Sequence, residues 1–469
     1  MKRRYSILLL IALFIFGFAS CERFGLDFDL DGEEDEKEET GGTGEEDKEE
    51  EALIEYEILS DDIFRFDDFI KDLINNSSLT SGLPELQKLM VSSSVNSYIA
   101  RLKSLVGLSD EELGLRRVTY LYDSTDQYGE PVTLSAMALW LSCLNGEAWN
   151  DISPDDIMLM QHYTITSNVE CPSAGYPFEA FVNGNSLVIM PDYIGYGATK
   201  DMIHPYLNHE VCASNSIDAL LAGYALFDEM SSSDMNEGWS TIVAGASQGG
   251  GNALAVHKYM DTNPDFAEEW NFSHSYCASG PYDPALTVEL YLETGKTDHP
   301  VLFPLTLESM RESYPDIFGR FDDADIYSEN YLEHKSFIEE ALQSKQYTAA
   351  EMNRLCVEHL KVTRNDDLYF SEILLEDILS KQLMDTDSEV CKALFECLRL
   401  NDLTSGWTPS HSIKLYYSEK DKVVPHENAL DVLDAFGSKY VKLVKGMPLD
   451  HGTCCALWML DVMNTMVPM

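Results

Sequence analysis

Between Trp239 and Asp261 the chain reads WSTIVAGASQGGGNALAVHKYMD. A short, apolar and partly β-branched run, Thr241–Ala244, meets a glycine-dense stretch. From Gln248 to Met260 the apolar residues Ala253, Ala255, Val256 and Met260 recur at roughly helical spacing. That order predicts a buried strand, a tight turn and a helix. Ser247 stands at the turn, with Gly245 two residues before it and Gly249 two after, in the pattern G-x-S-x-G. Small residues at those places let neighbouring backbone approach closely and leave the serine hydroxyl exposed on a sharp turn. The bare pattern arises by chance in roughly one chain in seven of this length, so its weight comes from the strand before it and the helix after it.

A serine hydroxyl at its ordinary pKa is a weak nucleophile. It needs a histidine to take its proton, and that imidazole needs an acid to fix its tautomer and stabilise the imidazolium. The C-terminal region offers both in the same setting. IKLYY reads as a strand and is followed by Asp421 in SEKDKVVP. YVKLV reads as the next strand and is followed by His451 in MPLDHGTCC. Two successive strand–loop–helix units each deliver one candidate. Of the rivals, His426 follows Pro425 at a helix start and His411 precedes its strand. Asp431 is deeper in a helix, Glu419 is nearer the strand, and Asp450 adjoins the histidine itself.

Elsewhere strands alternate with helices. RVTYLYDSTDQYGEPVTLSAMALWL reads as two strands around a turn at Gln127–Pro131, and DIMLMQHYTIT and SLVIMPDYIGYG as two more. HEVCASNSIDALLAGYALFDEM reads as an amphipathic helix and FSHSYCASGPYD as a strand entering a loop. The expected fold class is α/β, a mostly parallel sheet flanked by helices with active residues at the carboxyl ends of its strands. The alternation breaks over residues 284–409, which are largely helical and charged, and resumes over 410–469. The break reads as a helical cap inserted between a first core part, 117–283, and a second, 410–469. Residues 52–116 read as a mostly helical lead-in with a weak strand-like start.

On these residues the chain resembles α/β-hydrolases of the secretory lipase type, serine esterases and lipases with a helical cap. The matching pieces are PDYIGYG at Pro191–Gly197, HPYL at His204–Leu207, the turn GASQGG, and the Asp421 and His451 loops, over about three quarters of the chain. The resemblance implies an α/β-hydrolase fold and cleavage of a small-molecule or lipid ester. Ser247 would be nucleophile, His451 base and Asp421 the orienting acid, with no cofactor. It also implies an oxyanion hole of two backbone N–H groups, one from Gln248. The other comes from a loop after an earlier strand, where relatives often carry His-Gly. Here His162-Tyr163-Thr164 stands, which leaves Tyr163 and Thr164 as candidates. A peptidase on the same fold and a binding lipoprotein that keeps the fold without activity are the alternatives. Asp192 and Tyr193 read either as shaping the site mouth or as turn residues.

Lys2, Arg3 and Arg4 precede the apolar SILLLIALFIFGF, which marks residues 1–20 as a signal peptide. FASC resembles the lipobox of bacterial lipoproteins. That resemblance implies lipidation of Cys21, a lipid anchor, and a place in the bacterial cell envelope at the outer membrane or cell surface; simple secretion is the alternative. From Glu22 to Glu51 there are 16 acidic against three basic residues, so residues 21–51 read as a disordered tether. The net charge is −49, and the tether carries only −13 of it. Such acidity excludes nucleic acid as a partner, because phosphates need a basic face. Of ten cysteines, nine remain after Cys21, an odd number at irregular spacing that predicts none to two disulfides. His204 and His209 lack a third ligand in sequence, so no metal site is expected. Zincin, P-loop and dinucleotide motifs are absent.

Overall fold

The computed structural model of the chain describes residues 56–66, 97–108, 112–175, 179, 184–361, 372–445, 448 and 450–467. The expected signal peptide, the lipidation candidate Cys21 and the expected tether, residues 1–51, lie outside the described residues.

A sheet of ten strands organises the molecule. Its strands are β1 (Tyr56–Arg65), β2 (Glu112–Thr125), β3 (Pro131–Asn145), β4 (Ala148–Asp151), β5 (Asp156–Gln161), β6 (Ser186–Pro191), β7 (Ser240–Ala246) and β8 (Phe272–Ala278). A separate pair, β9 (Lys296–Thr297) and β10 (Ile373–Leu374), lies in the cap, and β11 (Ser412–Tyr417) and β12 (Val441–Lys445) complete the main sheet. The order is β1-β2-β3-β6-β5-β7-β8-β11-β12, with β4 paired to β3. Pairings among β1, β2, β3 and β6 are antiparallel. From β6 through β12 every neighbour is parallel.

The central strands are apolar on both faces, as a parallel sheet covered on two sides requires. In β3, Leu134, Ala136, Ala138 and Trp140 face one core, whereas Met137, Leu139 and Leu141 face the other. The first core is covered by α1 (His209–Met230) and α2 (Gln248–Thr262). The second is covered by the segment at 97–105 and by the C-terminal helix, through Tyr98, Leu102, Trp458 and Val462. The β2–β3 turn is built as its sequence suggests. Asp126 accepts hydrogen bonds from the N–H groups of Tyr128 and Glu130 at 2.8 and 3.0 Å, while Gly129 takes a φ of 78°.

Between β8 and β11 the chain forms α3 (Pro284–Thr294), α4 (Leu302–Ser313), α5 (Glu329–Gln343), α6 (Ala349–Leu360) and α7 (Glu389–Leu400). These helices share a core of their own, including Leu307, Met310, Tyr331, Ile338, Met352 and Leu394. Four of them begin at local start signals: Asp283, Ser328, Thr348 and Ser388 each cap the following helix with a side-chain oxygen. The second core part adds α8 (Glu427–Phe436) and α9 (His451–Met466).

The strand-like start expected of the lead-in is present, and residues 67–96 lie outside the described residues. Residues 56–65 form a ten-residue strand, and β2 starts at Glu112, ahead of the expected core boundary at 117. β1 is an edge strand with mostly exposed side chains, so backbone pairing rather than an apolar pattern holds it. No disulfide joins the nine body cysteines, eight of which are buried. Among the described residues, no helix is long and apolar enough to cross a membrane.

Candidate active site

Ser247 lies where β7 hands over to α2, with φ 57° and ψ −125°. A side chain in that region is strained by about 1–3 kcal/mol and persists only where its surroundings over-determine it. Here the backbone supplies the constraint. Ser247 N–H donates to Ala278 O at 2.8 Å, and Gly250 N–H donates to Ser247 O at 2.8 Å. The flanking glycines are demanded by contact. A Cβ on Gly245 would stand 2.1 Å from Gly249 O, and one on Gly249 would stand 2.1 Å from Gln161 O. Alanine at either place would drive α2 off the sheet.

Asp421 and His451 reach Ser247 from the exits of β11 and β12. His451 is the first residue of α9, and Asp450 caps that helix by accepting from Thr453 N–H at 2.9 Å. The Asp421 carboxylate has both oxygens engaged. Oδ1 accepts the N–H groups of Val423 and Val424 at 2.9 Å each, and Oδ2 lies 2.7 Å from His451 Nδ1. An acceptor-only carboxylate there requires the proton on Nδ1. Nε2 is left as a lone pair, 2.9 Å from Ser247 Oγ, whose hydroxyl donates to it. Asp421 is 1% exposed and His451 16% exposed, so the chain of bonds opens to solvent at its serine end. Burial pushes the His451 pKa down, but the Asp421 charge and hydrogen bond outweigh it and leave the imidazole above its ordinary value.

The loop after β5 treats its two candidate N–H groups differently. Tyr163 N–H donates to Glu179 Oε1 at 3.1 Å, so it is already engaged. His162 is pushed down to about 4 by burial and is therefore neutral. Its Nδ1 lies 2.7 Å from Tyr163 O and donates to it. In a trans peptide the N–H points opposite to the C=O. Binding of Tyr163 O by His162 thus turns Thr164 N–H the other way. On the α2 side, Gln248 is the first helical residue, and its N–H has no carbonyl one turn back to bond. Its side chain is held as well. His204 Nδ1 donates to Ile194 O at 2.8 Å, which leaves Nε2 to accept from Gln248 Nε2 at 2.6 Å.

Solved structures share this architecture. The rice cell wall degrading esterase LipA of Xanthomonas oryzae superposes with a TM-score of 0.58 at 19% identity, covering 78% of this chain and 92% of that one. A protein of Legionella pneumophila provisionally termed a hydrolase gives a TM-score of 0.62 at 16% identity, covering 88% and 96%. No family model matches the chain, and no curated protein matches it. The fold is an α/β-hydrolase fold.

In the hydrolase fold the rival residues have other tasks. Glu419 pairs with Lys445, His426 pairs with Glu427 at 3.2 Å, and Asp431 lies on α8. Asp192 is fully buried and pins the 173 loop, accepting from Ser135 Oγ at 2.6 Å and Ser173 N–H at 2.8 Å. Its role is that of a turn residue. His209 Nδ1 bonds to Asn401 O at 2.8 Å, and no metal-ligand cluster exists among the described residues.

A second serine–histidine–aspartate array occurs at the far end of α2. Ser275 Oγ lies 2.8 Å from His257 Nδ1, and His257 Nε2 lies 3.0 Å from Asp261 Oδ2. The side chains of His257 and Asp261 are 0% exposed, so no substrate reaches them. His411 Nδ1 and Ser410 N–H bind the same carboxylate. Burial raises the Asp261 pKa, but the hydrogen bonds from His257, His411 and Ser410 pull it well below the usual carboxylate range. Its contribution to stability is therefore present above the unfolded value of about 3.9 and is lost as pH falls through the folded value. Asp261→Ala is expected to destabilise the fold by about 3 kcal/mol, since it leaves buried partners unpaired. Urea unfolding at neutral pH measures this, and the gap between variant and parent should narrow in acid.

Glu179 and the His204–Gln248 link were not legible in sequence. Glu179 is 3% exposed and is pushed up to about 7, by burial above all and also by nearby Glu170. The one signal available was HPYL, which marked His204 without revealing its partner.

Proposed function

We propose that this chain is a serine hydrolase that cleaves carboxylic esters. One observation carries the reading: an unbroken hydrogen-bond chain from a buried, fully satisfied Asp421 through His451 to the strained Ser247. Ser247 Oγ attacks the acyl carbon while His451 Nε2 takes its proton. The imidazolium forms beside Asp421 and returns the proton to the leaving alcohol. Water, activated by the same imidazole, then releases the acid from the acyl-enzyme. Gln248 N–H and Thr164 N–H hold the oxyanion. These steps use no cofactor.

The choice of esters over amides rests on the likeness to the Xanthomonas esterase. We further propose that lipidation at Cys21 anchors the protein to the bacterial cell envelope, with the acidic segment spacing the hydrolase from the membrane.

The test uses the full chain in detergent, assayed on p-nitrophenyl esters from acetate to palmitate and on peptide p-nitroanilides. Ester turnover, with labelling of Ser247 by a fluorophosphonate, is the expected result. Labelling with turnover of anilides alone would replace the ester reading by a peptidase. Neither labelling nor turnover would leave a binding protein.

A further inference from the structure

Thr164 belongs to the loop after β5, whose regular structure is one 3-10 turn at Asn168–Glu170, yet the cap grips that loop at successive residues. Thr166 Oγ1 donates to Tyr347 O at 2.6 Å, Ser167 Oγ donates to Lys345 O at 3.1 Å, and Asn168 N–H donates to the same oxygen at 2.7 Å. Glu170 closes the arrangement. Its carboxylate accepts from Thr166 N–H and Ser167 N–H at 3.4 and 3.3 Å.

Two features mark this seam as more than incidental contact. Lys345 holds φ at 53° although it is not glycine, a strained setting that turns its carbonyl onto the loop. Its ammonium lies 4.5 Å from the centre of the Tyr196 ring, and the Tyr196 hydroxyl donates to Ile165 O at 2.5 Å. The cap segment therefore bonds the loop directly at 166–168 and reaches residue 165 through Tyr196. On the opposite side Thr164 Oγ1 meets the Tyr206 hydroxyl at 3.1 Å, and Ser309 of α4 bonds Tyr206 O at 2.8 Å.

We propose that the cap segment 345–347 is a positioning strap for the oxyanion loop, holding Thr164 N–H on the reacting carbonyl oxygen so that turnover depends on the seating of the cap. The proposal rests on the hydrolase reading above. Thr166 and Ser167 are its positioning residues, because they act through the backbone of Thr164. Oxyanion donors are worth most when they are already aimed before charge develops. A loop freed from the strap would still admit substrate but would stabilise the transition state poorly.

The experiment is Thr166→Val/Ser167→Ala in the full chain, which removes two hydroxyl donors with little change of shape. A fall in kcat of about 10- to 100-fold is expected, below the full loss of an oxyanion donor, with KM changed less than about twofold. Thr166→Ser, which keeps the hydroxyl, should restore most of the rate lost in Thr166→Val. Should the double variant fail to fold, Thr166→Val alone reads the same split between kcat and KM. A parent chain with Ser247-dependent turnover whose kcat survives these changes would overturn the strap alone. A parent chain without such turnover would overturn the hydrolase reading and the strap with it.

Discussion

Ser247→Ala is expected to lower ester turnover by on the order of a millionfold while the protein stays folded. Alanine keeps the Cβ on the same strained turn, so the contacts of Gly245, Gly249 and Ala278 around it are undisturbed. What disappears is the hydroxyl oxygen 2.9 Å from His451 Nε2, the proposed nucleophile. The residual rate should equal that of Ser247→Ala/His451→Ala, because the two residues act as one unit and their losses do not add. Steady-state kinetics on the best p-nitrophenyl ester, beside circular dichroism and a thermal midpoint, measures both statements. Losses that multiplied in the double variant would show the two side chains working independently and would count against the proposed chain.

Asp421→Asn should reduce kcat by about ten-thousand-fold. An amide can turn its NH2 toward Nδ1, and the imidazole then carries its proton on Nε2, where Ser247 needs a lone pair. The pH profile gives a second reading. Turnover requires neutral His451, so activity in the parent falls as pH drops through a pKa held above the ordinary histidine value. Without the Asp421 charge, burial dominates and the imidazole becomes a weaker base. The acidic limb should therefore move to lower pH in the variant, even as the plateau collapses. A limb that stayed in place would mean that Asp421 does not set the His451 pKa.

Legibility followed locality. Ser247, Asp421 and His451 could be read because each stands where a short apolar strand gives way to a loop before a helix. The parallel sheet and the capped helices of the insertion were legible for the same reason. β1 was legible only as a weak strand-like start, since its pairing with β2 uses backbone groups and its side chains are mostly exposed. The choice between Tyr163 and Thr164 was not legible. It depends on His162 holding one carbonyl and Glu179 one N–H, and no periodic pattern announces Glu179. The His204 contact with Gln248 crosses 44 residues of chain and carries no local signature.

By itself the sequence determined the turn at Ser247, the order of serine, acid and histidine, the place of the helical insertion, and a strongly acidic composition. These follow from neighbouring residues and from composition, which act before the chain is folded. Only the tertiary structure decided which of two serine–histidine–aspartate arrays opens to solvent, that Tyr163 N–H of the β5 loop is engaged by Glu179, and that the inserted helical segment bonds that loop. Each of those depends on burial and on contacts between distant segments, as when packing sets Ser247 beside His451, 204 residues later.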